Sequence, residues 1–267
     1  MSGNPVGRFA RRVRLRAADV SVEGELERLK DWIDSREERR LLADARAGRD
    51  VCWTDEAEPL VTVRIATYNR ADLLMQRSLA SALRQTYERI EVLVVGDHTD
   101  EATDRAMAGV TDPRVRYVNL PSRGRYPDDP ALRWLVAGSA PMNAGLTLAS
   151  GTWIAPCDDD DEFTDDHVEV LLAEAQRRRL EMVYGVADME QADGTWLRVG
   201  EWPLRAGGIS HGATLYSLGL RFLRYSETCF KTPEPFDWNL WRRMERIGVR
   251  TGFLDRVVFT HYETPHD

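Results

Sequence analysis

The sequence predicts an α/β protein built on a mainly parallel sheet flanked by helices. Two observations carry that expectation. From Leu60 onward, short runs rich in β-branched residues alternate with segments of helical pattern; strand, helix, strand, helix in succession implies crossover connections. In addition, Ile90–Val95 (IEVLVV) is apolar almost throughout, as a strand covered on both faces requires.

Each element follows from local signals. Residues 1–59 form an N-terminal extension. Arg8, Arg11, Arg12, Arg14 and Arg16 cluster there without an acid before Asp19; they suit either an anionic membrane surface or a solvated terminus. A helix is predicted from Glu23 to about Ala47, with Leu26, Leu29, Ile33 and Leu41–Leu42 as its apolar stripe and Gly48 as its stop. Leu60–Ala66 (LVTVRIA) reads as the first strand. Asn69 caps a helix from Arg70 to about Gln85 with Asp72 in its first turn. Ile90–Val95 is the second strand; a short helix follows Thr99, and a short strand covers Val115–Val118. Pro141 suits the first turn of a helix reaching Ser150, stopped by Gly151 and followed by a strand at Thr152–Ala155. Thr164 caps the next helix, with Asp165 and Asp166 at its positive end and Arg177, Arg178 and Arg179 at its negative end. Strands at Met182–Ala187 and Thr195–Val199 are joined by an Asp193-Gly194 turn. A helix from about Asp237 to Ile247 stops at Gly248, and a last strand runs near Gly252–Phe259.

Composition narrows the function. The 267 residues carry a net charge of −8, which disfavours a general nucleic-acid binder, whose affinity rests on basic surface. No apolar run is long enough to span a membrane and the N-terminus has no apolar signal stretch, so a cytoplasmic location is expected, with the inner face of the membrane as the place for any peripheral contact. Cys52, Cys157 and Cys229 stand far apart without a CxxC pair, which argues against a disulfide framework or zinc knuckle; Cys52 and Cys229 read as small buried apolar residues.

In parallel sheets ligands bind beyond the carboxyl ends of the strands. That places the chemistry at Thr67–Asn69, Gly96–Asp97, Arg123–Tyr126 and Cys157–Asp161. The last of these is the most unusual stretch of the chain: Asp158, Asp159, Asp160, Asp161 and Glu162 follow directly on a strand. So many like charges repel, and a hard divalent cation relieves them with oxygen ligands. An EF-hand reading fails, because Phe163 occupies the position that requires glycine. Mg²⁺ or Mn²⁺ fits better, since Mg²⁺ is held by one or two carboxylates together with substrate phosphates; a nucleotide or other diphosphate substrate follows. The sequence has no GxxxxGK[ST], GxGxxG after a strand, HExxH or GxSxG, so metal and side chains must hold the diphosphate.

Val61–Arg70 (VTVRIATYNR), Ile90–Asp100 (IEVLVVGDHTD) and Asn143–Asp161 (NAGLTLASGTWIAPCDDDD) closely resemble, in order and spacing, the nucleotide-sugar half of family 2 glycosyltransferases. The resemblance is good from Leu60 to Tyr184 and looser to Tyr262. It implies a GT-A-type, Rossmann-like fold over residues 60–267, with a donor half to about 184 and an acceptor and catalytic part from about 185. It further implies a nucleoside-diphosphate sugar donor (UDP-sugar by default), a divalent metal, inversion at the anomeric carbon, and a glycan, lipid-linked or small-molecule acceptor. Carried over residue by residue, Thr67, Tyr68, Asn69 and Arg70 form the donor-base pocket, with Tyr68 against the base, and Asp97 bonds base or ribose. Asp158 and Asp160 are the DxD pair: Asp158 holds the ribose, partly through the metal, and Asp160 binds the metal. Asp159 and Asp161 face sugar or solvent. His261 is a further metal ligand or a hydrogen-bonded surface histidine. Asp237 aligns with the catalytic base; burial beside Phe236 and Trp238 raises a carboxyl's pKa toward a useful value. Its alternative role is helix cap, with Glu234 and then Glu227 as reserve bases. Trp202 or Trp238 stacks on a sugar, and Trp202 and His211 shape the acceptor side, although His211 and His98 otherwise read as loop residues. The chain departs from the family pattern at Ala66, Gly96 and Phe236, the last replacing the glutamate before the base. The long Pro121–Ala140 link reads as a flap over the diphosphate or a plain surface loop. Two other functions compete: a nucleotidyltransferase, whose triphosphate loop Ala66–Arg70 lacks, and a non-catalytic nucleotide-sugar-binding protein.

Overall fold

The computed structural model describes residues 22–48 and 58–264. The Arg8–Arg16 cluster and Cys52 lie outside the described residues. β1 (Val61–Thr67) is buried at all seven positions and is the centre of the sheet's parallel half. It pairs in parallel with β2 (Ile90–Gly96) on one side and β4 (Trp153–Asp158) on the other, and β2 pairs in parallel with β3 (Val115–Asn119). Beyond β4 the sheet becomes mixed. β8 (Thr214–Ser217) runs antiparallel to β4 and to β6 (Met182–Glu190). β9 (Thr251–His261) is parallel to β6 and carries the two-residue β5 (Glu162–Phe163) antiparallel at its edge. The order is β3-β2-β1-β4-β8-β6-β9-β5, with β7 (Trp196–Val199) paired to β6 across the Asp193-Gly194 turn.

Side chains alternate between the two faces of a strand, and β1 shows both halves of the core. Val61, Val63 and Ile65 pack under one set of helices; Ala66 joins the other. The first set is α2 (α-helical Ala71–Leu73, π-helical Leu74–Ser78, α-helical Leu79–Leu83), α3 (Glu101–Ala108) and α6 (His167–Arg178). The second is α5 (Ser139–Leu148) and α7 (Phe236–Ile247), with Leu42 of α1 (Val22–Ala47). A one-turn helix, α4 (Pro130–Trp134), lies within the Pro121–Ala140 link.

Several sequence signals resolve differently in three dimensions. Asn69 does not cap α2: its φ is +54°, and its amide oxygen accepts from Thr99 Oγ1 and the Asp100 amide. Asp100 instead caps α3, accepting from the Thr103 amide. Thr164 gives way to Asp166 at the start of α6, and α5 ends at Leu148, before Gly151. The stripe on α1 is not a core face: Leu26, Leu29 and Ile33 are more than half exposed, and only Leu42 is buried. What holds α1 is polar. Arg243 pairs with Glu38, Arg242 with Asp31 at 2.7 Å, and Arg46 with Glu181 at 2.7 Å. Gly248, in contrast, ends α7 in the left-handed region expected of a helix-stopping glycine.

Candidate active site

Register decides where the loops meet. Thr67 at the end of β1 stands opposite Gly96 of β2, and Ala66 stands opposite Asp158 of β4. The three loops after these strands therefore emerge side by side at one edge of the sheet. β8 then runs back antiparallel to β4, which brings the turn before it, His211–Ala213, against the end of β4. β9 ends beside β5, bringing His261 to the same acids.

The four aspartates take four different environments. Asp158 keeps a partly exposed carboxylate, 3.4 Å from His211 Nδ1. Burial pushes its pKa up, but the neighbouring imidazole, its hydrogen bond and the more distant Arg64 guanidinium bring it below the ordinary carboxylate value. Asp159 is buried and accepts from Thr67 Oγ1 at 2.8 Å and the Tyr68 amide at 3.3 Å. Burial and the adjacent Asp160 raise its pKa to about 7. Asp160 accepts from Arg70 Nη1 at 2.6 Å. Asp161 is buried, accepts from the Tyr262 amide and pairs with His261 Nδ1 at 3.0 Å; that pair raises the pKa of His261 against the opposing effect of burial. Asp159 and Asp161 thus do not face solvent. They anchor the acidic loop from within, and the π-helical turn of α2 adds Arg77 Nη1 and Ser78 Oγ as donors to the carbonyls of Asp160 and Asp159.

The base-pocket residues are brought together, but not as an open slot. Tyr68 is part-exposed and the Arg123 guanidinium lies over its ring at 3.8 Å. Asp97 accepts from the Gly124 amide at 2.8 Å and from the Tyr126 hydroxyl at 2.6 Å. The link after β3 thus folds over Asp97 and Tyr68. Arg70 turns toward Asp159 and Asp160.

Asp237 lies in the first turn of α7. Burial raises its pKa, against the favourable field of His211 and the hydrogen bond from the Trp238 amide; Asp158 adds repulsion. Asp237 and Asp158 therefore flank His211 electrostatically. Glu234 is committed elsewhere, accepting from Arg242 Nε at 2.6 Å and Asn239 Nδ2 at 2.7 Å. Glu227 accepts only a long contact, 3.4 Å, from Asn143. Trp202 is 57% exposed, away from the core, whereas Trp238 is half-buried against it. His98 is exposed.

His211 is where sequence reasoning falls short. It is buried, not a loop residue, and it touches Asp158 and Tyr225. Arg64 and Tyr225 were missed outright. The one available signal was a lone arginine inside the apolar run LVTVRIA.

Among the described residues no three His, Cys, Asp or Glu side chains form a ready metal cage. The donor set nevertheless fits Mg²⁺ or Mn²⁺, which takes one or two carboxylates and leaves the remaining positions to water and substrate phosphates. Asp158 offers the accessible carboxylate, with Asp160 and His261 beside it in the same loop cluster.

The model of the family described as glycosyl transferase family 2 matches residues 62–127 and 134–245. The succinoglycan biosynthesis protein ExoO of Rhizobium meliloti (strain 1021) is 36% identical over 141 residues, which cover 53% of this chain and 37% of that protein. The chain thus spans well under half the length of this curated relative. Two solved structures share the fold. S. aureus TarS 1-349 in complex with UDP-GlcNAc superposes with a TM-score of 0.56 at 14% identity, over 78% of this chain and 59% of that one. The mannosyltransferase PcManGT from Pyrobaculum calidifontis, in complex with GDP-Man and Mn²⁺, gives 0.56 at 18% identity, over 86% and 64%.

Proposed function

Since this chain belongs to glycosyl transferase family 2, we propose that it is a metal-dependent, inverting glycosyltransferase that moves a sugar from a nucleoside-diphosphate sugar, UDP-sugar by default, to an acceptor hydroxyl. The observation that carries the reading is the convergence, at one sheet edge, of the Asp158–Asp161 loop, the Thr67–Arg70 and Asp97 loops, and Asp237 across His211.

In this reading Asp97 and Tyr68 receive the nucleoside once the Arg123–Tyr126 segment moves aside, and Asp158 meets the ribose. Asp158 and Asp160, with His261, would hold Mg²⁺ or Mn²⁺. Stabilisation of charge on the leaving diphosphate is what such an ion supplies when bound. Asp237 accepts the proton of the acceptor hydroxyl while that oxygen attacks the anomeric carbon and the bond from that carbon to the diphosphate oxygen breaks. Its raised pKa suits it to the task. The neighbours named above support a nucleotide-sugar donor of either base, as one binds UDP-GlcNAc and the other GDP-Man. The acceptor is a glycan, a lipid-linked sugar or a small molecule.

The test is nucleotide release from a panel of UDP- and GDP-sugars with Mn²⁺, combined with thermal stabilisation by the free nucleotides. Stabilisation by UDP or GDP that requires Mn²⁺ and is lost in Asp160→Ala supports the donor site. Asp237→Asn should keep that stabilisation and lose about 10²- to 10⁴-fold in release rate. Stabilisation by no nucleotide would overturn the reading, and binding without release in the presence of many acceptors would leave a sugar-nucleotide-binding protein.

A further inference from the structure

Arg64 is a buried cation, 1% exposed, in the middle of β1. Its hydrogen-bond partners are the Tyr225 hydroxyl at 2.7 Å, the Tyr216 hydroxyl at 3.4 Å and the Met142 carbonyl at 3.2 Å, with no carboxylate among them. Room for it comes from Gly145 of α5, where a Cβ would collide with the Arg64 stem. Leaving a guanidinium so buried without a counter-charge is costly, so its retention needs a reason.

The reason lies in what the hydroxyls do next. Tyr225 Oη is 3.2 Å from Tyr216 Oη and 3.1 Å from His211 Nε2. Arg64 can only donate. Among the described residues the Tyr216 proton has one acceptor in reach, Tyr225 Oη. The Tyr225 proton then goes to His211 Nε2, which leaves the imidazole proton on Nδ1, directed at Asp158 Oδ2. Every proton in this chain finds an acceptor in that single direction. Tyr225 is itself fixed, because the Asn143 side chain bonds both its amide, at 2.9 Å, and its carbonyl, at 3.0 Å. Burial also keeps its hydroxyl protonated.

We infer that Arg64 and Tyr225 are positioning residues, which lock His211 in the orientation and tautomer that hold the Asp158 carboxylate toward the donor site. This role rests on the glycosyltransferase reading for its purpose but not for its detection.

Two measurements test it. The first is long-range proton–nitrogen NMR of the His211 imidazole in the metal-free protein. Wild type should carry its proton on Nδ1, and Tyr225→Phe should shift the proton toward Nε2; an unchanged imidazole would overturn the inference. The second is calorimetric affinity for Mn²⁺ with UDP or GDP. Tyr225→Phe and His211→Leu should each weaken binding about tenfold, and the double variant should lose no more than His211→Leu alone. Undiminished affinity in Tyr225→Phe, or additive losses as expected of two independent structural defects, would overturn it. Should Tyr225→Phe not fold, His211→Asn takes its place: asparagine keeps an N–H near the Nδ1 position and should bind within about threefold of wild type, and equal loss in His211→Asn and His211→Leu would overturn the inference. If wild type binds neither nucleotide, the functional reading falls and the imidazole measurement alone decides this one.

Discussion

His167 packs face to face on Phe163, with ring centroids 3.8 Å apart, and is fully buried. Its Nδ1 lies 2.9 Å from the Val258 carbonyl. Burial lowers its pKa from 6.5 to about 4. At this group the folded state therefore binds fewer protons than the unfolded chain below pH 6.5, and its contribution to stability falls as the pH drops toward 4. The slope is about 1.4 kcal/mol per pH unit, or about 3 kcal/mol over the interval. The buried Asp159 and Asp161 carboxyls, both raised to about 7, titrate with the opposite sign over this range, so the His167 contribution is read as the difference between wild type and His167→Gln in urea unfolding from pH 7 to 4: wild type should lose about 3 kcal/mol relative to the variant, and parallel curves would overturn the assignment. At the same scale the acids sort by their contacts. Asp158 is the one of its four-residue run with a substantially accessible carboxylate, and Glu234 is consumed by Arg242. The sequence marked the acidic run as functional, because charge density is visible in one dimension. It placed Asp159 and Asp161 wrongly, because which carboxylate is buried depends on Thr67 and His261, 92 and 100 residues away.

Among the elements, the segment after β3 matters most to binding. The Gly124 amide and the Tyr126 hydroxyl occupy both oxygens of Asp97, and Arg123 covers Tyr68. In the proposed glycosyltransferase a nucleoside displaces these contacts. Tyr126→Phe removes one of them and should tighten Mn²⁺–nucleotide binding by about 1 kcal/mol, roughly fivefold. Calorimetry checks this; weaker binding would mean that Tyr126 helps to build the occupied pocket. Strands and helices between Leu60 and Tyr184 were legible from β-branched runs and caps. The π-helical turn of α2 was not, since the widened turn answers to the Asp159 and Asp160 carbonyls that Ser78 and Arg77 reach. The Asn69 cap failed for a similar reason: Thr99 and the Asp100 amide compete for the same side chain and win.

Across the whole molecule, the docking of α1 is ionic. Glu38 is 5% exposed and pairs with Arg243, and Glu181, fully buried, takes Arg46 and Arg250. Breaking a buried pair strands its partner charge. Glu38→Ala should therefore cost about 3 kcal/mol in urea unfolding, in a single transition shared by α1 and the sheet. A separate early transition would show α1 to be an independent unit. Amphipathic periodicity misread this helix because Leu26, Leu29 and Ile33 suggest a core face that the body does not cover. The parallel α/β half and the acidic run at the end of β4 were legible in the sequence, because these depend on local pattern and on side-chain type. The mixed half of the sheet, the covering of Asp97 and Tyr68 by the loop after β3 and the Arg64–Tyr225–His211 chain behind Asp158 came from tertiary structure alone. Those depend on contacts between residues as much as 161 positions apart in the chain, and the strand register that brings them together leaves no periodic trace in sequence.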